Sequence, residues 1–149
     1  MAEDKRPVLN QINLVVRDMD AMVEFYRRLG VEIPDPPAAW ARWAPHHRNS
    51  PSPEGLEFEL DSQVFAATWN QGWRADAAGA VVGFRIATRE GVDQTYADLT
   101  GAGYRGQQPP YDAFWGARYA VVEDPDGNPV GLMSPMDPAL RTPTPPPPD

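Results

Sequence analysis

A chain of 149 residues without a cysteine is one domain's worth of protein, large enough to bury about two-thirds of its unfolded surface, and it can build no disulfide framework, thiolate metal site or cysteine nucleophile. A formal charge of −8 and a pI near 4.7 oppose a phosphate backbone, so nucleic acid is not an expected partner. No apolar run approaches the roughly 18 residues of a membrane span, and no apolar signal core follows Met1-Ala2-Glu3-Asp4-Lys5-Arg6, so the expectation is a cytoplasmic protein with no membrane partner.

The first period-two run places Ile12, Leu14 and Val16 on one face and Gln11, Asn13 and Val15 on the other, which predicts a strand. Asp18 then caps a helix whose apolar stripe is Met22, Phe25, Tyr26 and Leu29, and Gly30 stops it. Pro34 to Pro53 holds six prolines and reads as a long connection, neither helix nor central strand. His46 and His47 fall in it as solvated loop residues, adjacent and therefore pointing apart on an extended chain. Leu56, Phe58 and Leu60 alternate with Glu57 and Glu59. After a turn at Asp61-Ser62, the run from Val64 to Trp69 is expected to pair back as a hairpin strand.

The pattern then restarts. Val82, Phe84 and Ile86 alternate with Val81, Gly83 and Arg85, and a helical stripe of Val92, Thr95, Tyr96 and Leu99 ends at Gly101 and Gly103. Strands follow near Ala117 to Val122 and Pro129 to Met133, joined by the turn sequence Asp124-Pro125-Asp126-Gly127-Asn128. Seven prolines from Pro135 to Pro148 make an extended, surface-lying tail. Adding 70 to Ile12, Leu14, Val16, Met22, Tyr26 and Leu29 lands on Val82, Phe84, Ile86, Val92, Tyr96 and Leu99. A shared offset across a strand and its helix means two copies of one unit, neither of which can bury its apolar faces alone.

Three stretches carry a resemblance: Asn13-Leu14-Val15-Val16-Arg17-Asp18-Met19, Phe25-Tyr26-Arg27-Arg28-Leu29-Gly30, and Trp115-Gly116-Ala117-Arg118-Tyr119 with Glu123-Asp124-Pro125-Asp126-Gly127-Asn128. In their order and spacing the chain resembles the vicinal oxygen chelate superfamily, which includes glyoxalase I, extradiol dioxygenases, fosfomycin-resistance enzymes and bleomycin-binding proteins. The resemblance implies an α+β fold of two βαβββ modules, forming a curled eight-stranded sheet around a cleft with the helices outside. It implies an N-terminal arm over 1–7, a single domain over 8–135 (module one about 8–75, module two about 78–135) and a Pro-rich tail over 136–149. A homodimer is also expected, since many relatives build their clefts by dimerisation.

Metal-dependent members of the family place one ligand in the first strand and one in the fourth strand of each module. Here the matching positions are Gln11, Ala66, Val81 and Gly131, and alanine, valine and glycine offer a cation nothing. The expectation is therefore no metal and no other cofactor. Strand parity directs Gln11, Asn13, Glu57, Glu59, Thr68, Val81, Gly83, Arg85 and Met133 toward the cleft. Of the five tryptophans, Trp73 and Trp115 are expected to offer flat surfaces to a planar ligand, and Trp69 to seal the core.

The ligand-binding cleft thus comprises Gln11, Asn13, Glu57, Glu59, Thr68, Trp73, Arg85, Trp115 and Met133, with no catalytic residue assigned. The function this implies is a non-metal protein of the bleomycin-resistance type that sequesters an aromatic or cationic small molecule. Two enzymatic alternatives stand beside it. One is a glyoxalase-, dioxygenase- or isomerase-like enzyme using Gln11 with Glu57 or Glu59, and the other is metal-free acid–base chemistry by Glu59 beside Arg85.

Overall fold

The computed structural model describes residues 6–51, 55–75, 79–125 and 127–148, apart from the side chain of Leu29. Most of the expected N-terminal arm, the junction between the modules, that side chain of the first helical stripe and Asp126 of the late turn lie outside the described residues. The chain runs β1 (Val8–Val16), α1 (Met19–Leu29), a 3-10 segment (Ala38–Trp43), β2 (His47–Ser50), β3 (Glu57–Ser62), α2 (Gln63–Trp69), β4 (Ala80–Arg85), α3 (Arg89–Gly101), β5 (Gly106–Asp112), β6 (Arg118–Glu123) and β7 (Pro129–Met133). The strands form one open mixed sheet in the order β2-β3-β1-β4-β7-β6-β5. No helix among the described residues is long and apolar enough to cross a membrane.

The internal repeat is built into the centre of this sheet. β1 and β4 run antiparallel with Ile12 opposite Val82, Gln11 opposite Gly83 and Asn13 opposite Val81. Residues 70 apart are therefore related by a two-fold axis that passes through the Ile12/Val82 pair, so Gln11 faces the counterpart of Asn13 and Asn13 faces the counterpart of Gln11. The parallel partners repeat as well, for Leu14 faces Leu60 on β3 and Phe84 faces Leu132 on β7. Each helix covers its own half. Val16, Met19, Val23, Ile33 and Leu60 pack with Met22 and Tyr26 beneath α1, while Ile86, Val92, Ala120, Val122 and Leu132 pack with Tyr96 and Leu99 beneath α3. Asp18 caps α1 by accepting from the Ala21 N–H at 3.0 Å, and Gly30 ends it at φ 107°, a left-handed conformation open to glycine.

Among the described residues the second module has all its strands but the first has one fewer than expected, so the sheet has seven strands instead of eight. The Pro-rich connection holds a 3-10 turn, Ala38–Trp43, where that strand would run. The same connection also holds β2, an edge strand paired antiparallel to β3, so His47 is not a solvated loop residue.

The run from Val64 to Trp69, expected as a strand, is helix α2. Ser62 accepts from the Phe65 N–H at 3.1 Å as its N-cap, and Phe65, Ala66 and Trp69 are buried at i, i+1 and i+4, a helical period. Consequently β3 is the last strand of its module. Asn13 pairs with Glu59 as Gly83 pairs with Gly131, so the position related to Gly131 is Glu59 and not Ala66.

The tail lies against the protein over its first turns. The Asp137 N–H donates to the Gly116 carbonyl at 3.0 Å and the Thr142 N–H to the Phe114 carbonyl at 3.1 Å.

Candidate functional site

On the sheet face away from α1 and α3 lies a cavity of about 410 Å³. Its floor follows from strand alternation in a single module: Gln11 and Asn13 of β1, Glu57, Glu59 and Asp61 of β3, and His47 and Asn49 of β2 share one face. Gln11 is level with Glu57, Asn13 with Glu59 and His47 with Asp61, which packs three carboxylates into consecutive rungs.

Asp61 is the hub of that floor. Only 2% exposed, it accepts hydrogen bonds from His47 Nδ1 at 2.6 Å, Asn13 Nδ2 at 2.9 Å and Trp69 Nε1 at 2.9 Å. The short helix α2 makes the last of these possible, because it folds the chain back on itself and carries the Trp69 indole over the carboxylate eight residues earlier. Asn13 Nδ2 also approaches Glu59 at 3.4 Å, while Asn13 Oδ1 is buried without a hydrogen-bond partner among the described residues.

The crowded carboxylates set the protonation of the site. Burial and repulsion from Asp61 and Glu57 push Glu59 up to about 7, against the opposing pull of the His47 charge and the Gln11 side chain. Burial alone would lower His47, but the hydrogen bond to Asp61 and the negative charges of Asp61, Glu59 and Glu57 outweigh it and raise the imidazole to about 9. The floor at neutral pH is therefore an imidazolium among carboxylates, one of them close to half-protonated.

The opposite wall is aromatic. Trp43 meets Phe65 edge-on at 5.0 Å and Phe114 at 6.2 Å, Phe114 meets Trp115 at 5.2 Å, and Trp115 meets Tyr119 at 5.7 Å. All but the tilted Trp43–Phe114 pair are edge-to-face contacts, a favoured geometry for aromatic rings. Trp40, 43% exposed, stands at the mouth with Met136 of the tail, and the Trp115 indole donates to Met133 Sδ at 3.3 Å.

Six of the nine residues assigned to the cleft from sequence line this cavity: Gln11, Asn13, Glu57, Glu59, Trp115 and Met133. The other three do not. Thr68 is on the exposed side of α2, its hydroxyl donating to the Val64 carbonyl at 3.1 Å, because the segment is helical and strand parity does not apply. Arg85 is exposed at the end of β4. Trp73 is packed into the aromatic core beside the cavity. Trp69 is buried in the core as expected, and it also borders the cavity; sequence reasoning missed His47, Asp61 and the rings of Phe65, Phe114 and Tyr119, and left Trp40 and Trp43 undecided. The alternation of Glu57, Glu59 and Asp61 was the signal available for the second of these.

A metal shared between the modules, as the fold family implies, does not fit. Val81, Gly83 and Gly131 offer no donor, and a Cβ on Gly131 would lie 3.0 Å from the Tyr119 hydroxyl. His47, Glu59 and Asp61 do bring one donor atom each within 4.8 Å of one another, all from the first module. That group is already knitted together, with Asp61 accepting three hydrogen bonds and His47 holding the proton that a cation would have to displace.

A family model described as the glyoxalase/bleomycin resistance protein/dioxygenase superfamily matches residues 8–132, and the chain belongs to this superfamily. Among solved structures it is similar to a superfamily member from Vibrio splendidus 12B01, at 13% identity and a TM-score of 0.54, over 87% of this chain and 98% of that one. It is also similar to a protein described as an NAD-dependent benzaldehyde dehydrogenase from Legionella pneumophila, at 19% identity and a TM-score of 0.57, over 83% and 96%. A third likeness, to the Mn(II)-bound glyoxalase from Novosphingobium aromaticivorans at 18% identity and a TM-score of 0.53, covers 87% of this chain but 40% of that longer one. At these identities the likeness is one of fold. No curated protein sequence matches the chain.

Proposed function

We propose that the chain is a binding protein that sequesters a planar, cationic small molecule in this cavity without using a metal. The observation that carries the reading is the opposition of an aromatic wall to a floor bearing Glu57, Glu59 and Asp61 across a single cavity of ligand size. His47 offsets one of those charges and Arg48 is paired with Asp35 at 3.1 Å, so the floor retains a negative balance that favours a cation. The rings supply area and cation–π attraction, the latter about 0.5–2 kcal/mol per contact.

The test is a titration of planar aromatic cations and their neutral counterparts, followed by tryptophan fluorescence and calorimetry. The expected result is saturable binding of the cations that weakens in Trp115→Ala and is unchanged by a chelator. Failure of every cation to bind the folded protein, or binding abolished by chelation, would overturn the reading.

The raised carboxyl of Glu59 at the cavity floor favours a second reading, metal-free acid–base catalysis, in which a bound carbon acid loses a proton to that carboxylate. Arg85 lies outside the cavity lining and takes no part in it. Exchange of a bound compound's C–H for deuterium, abolished in Glu59→Gln, would establish this reading; absence of exchange across a panel of bound ligands would dismiss it.

A further inference from the structure

The donors and acceptors at the cavity floor are unequally distributed. Asn13 Nδ2, His47 Nδ1 and Trp69 Nε1 all turn inward on Asp61. Glu57 and Glu59 line the cavity, and Glu59 accepts from the Gln11 side chain and takes a contact of 3.4 Å, too long for a strong bond, from the Asn13 amide. Among the described residues Asn13 Oδ1 is a further acceptor without a partner, on a residue 5% exposed, beside one unpaired donor, the Nε–H of the lining residue Arg48. The acceptors of Glu57, Glu59 and Asn13 are poorly matched by a quaternary ammonium, which carries charge but no N–H, and equally by a neutral ring.

Shape narrows the class further. Glu57 and Glu59 are alternate residues of one strand face, so the strand rise sets their Cα atoms about 7 Å apart along β3 with both side chains on the cavity side. A forked cation can present N–H bonds to both, whereas a single ammonium satisfies one. A planar delocalised cation is also the kind that stacks on indole and phenyl faces, such as those of Trp43 and Phe114 on the opposite wall.

The geometry points to an aromatic amidine or guanidine as the ligand class of this cavity, held by its forked N–H groups between Glu57 and Glu59 with its ring on the aromatic wall. This inference rests on the reading of the cavity as a small-molecule site. It goes beyond charge, for it requires hydrogen-bond donors on the cation.

The experiment compares three probes of one ring system, 2-naphthamidine, 2-naphthyltrimethylammonium and 2-naphthamide, by calorimetry against the wild-type chain, Glu57→Gln and Glu59→Gln, with folding checked by circular dichroism. The amidine should bind about tenfold or more tightly than the other two, and each substitution should lower its affinity while leaving that of the amide unchanged. Equal binding of the amidine and the trimethylammonium compound would overturn the inference and leave the cation-binding function standing. Binding of none of the three would remove both. A requirement for added Mn²⁺ or Zn²⁺ would overturn the inference in favour of a metal held by His47, Glu59 and Asp61.

Discussion

The hydroxyl of Tyr119 occupies the space that a side chain on Gly131 would need: a Cβ there would sit 3.0 Å from Tyr119 Oη. Trp69, Tyr111 and Trp115 surround the Tyr119 ring at centroid distances of 6.1, 6.1 and 5.7 Å, so a shift of the ring away from Gly131 disturbs those contacts. The second module has thus given its ligand position over to aromatic packing. Gly131→Ala should destabilise the protein by about 1–3 kcal/mol through overpacking, and Tyr119→Phe added to it should recover most of that loss. Urea denaturation of the double-mutant cycle measures both; a Gly131→Ala variant as stable as the wild type would refute the steric account.

Asp61 is expected to be the most sensitive position of the floor. Replacing it by Ala strands the Trp69 indole N–H, the Asn13 amide and a partly buried imidazolium at once. Removal of one side of such a network costs about 3–5 kcal/mol. Chemical denaturation should show that loss, and a change below about 1 kcal/mol would mean that the three donors find other partners or water.

Stability should decline as pH rises from about 5 to 9. Glu59 titrates near 7 in the folded protein, above its ordinary 4.5, so the folded state binds more protons than the unfolded one between those values and loses stability as the pH climbs through them. His47 behaves alike at higher pH, its stabilising proton fully held below 6.5 and lost as pH passes about 9. The groups facing Glu59 are His47, Asp61, Glu57 and Gln11. Thermal midpoints across this range, measured for the wild type and for Glu59→Gln, should show the variant losing the decline between 4.5 and 7. A flat wild-type profile would contradict the assigned protonation states.

Two tryptophans should separate binding from folding. Trp40 is 43% exposed at the cavity mouth, so Trp40→Ala should weaken an aromatic ligand while leaving the melting temperature within about a degree or two of wild type. Trp69 is 5% exposed and donates to Asp61, so Trp69→Ala should cost about 3–5 kcal/mol of stability. Calorimetry of ligand binding and of unfolding on both variants checks the contrast, which an equal loss of stability in the two would erase.

The duplicated frame was legible because a 70-residue offset survives in residues that must all be apolar or aromatic, Leu14 with Phe84 on the strands and Tyr26 with Tyr96 on the helices, each half-buried. The floor was legible in β1 and β3, where period-two alternation fixes which face Gln11, Asn13, Glu57 and Glu59 share. Val64 to Trp69 misled because β-branched and aromatic residues fit a strand equally well. Over seven residues, capping by Ser62 and the burial of Phe65, Ala66 and Trp69 decide for a helix, and the burial depends on tertiary contacts. His47 was hidden for a related reason: β2 is a four-residue edge strand with no apolar alternation, ordered by its ladder to β3 and by the Asp61 contact across it.

The β1–β4 seam through Ile12 and Val82 has one further consequence. It joins the two halves of the sheet, and the cavity beside it takes its charged groups from the first half and Phe114, Trp115, Tyr119 and Met133 from the second. A molecule seated there grips both halves and so acts as a clamp on the seam from outside the backbone ladder. Occupancy should register as slowed hydrogen exchange at the β1 and β4 amides around that axis, including those whose own side chains never meet the ligand.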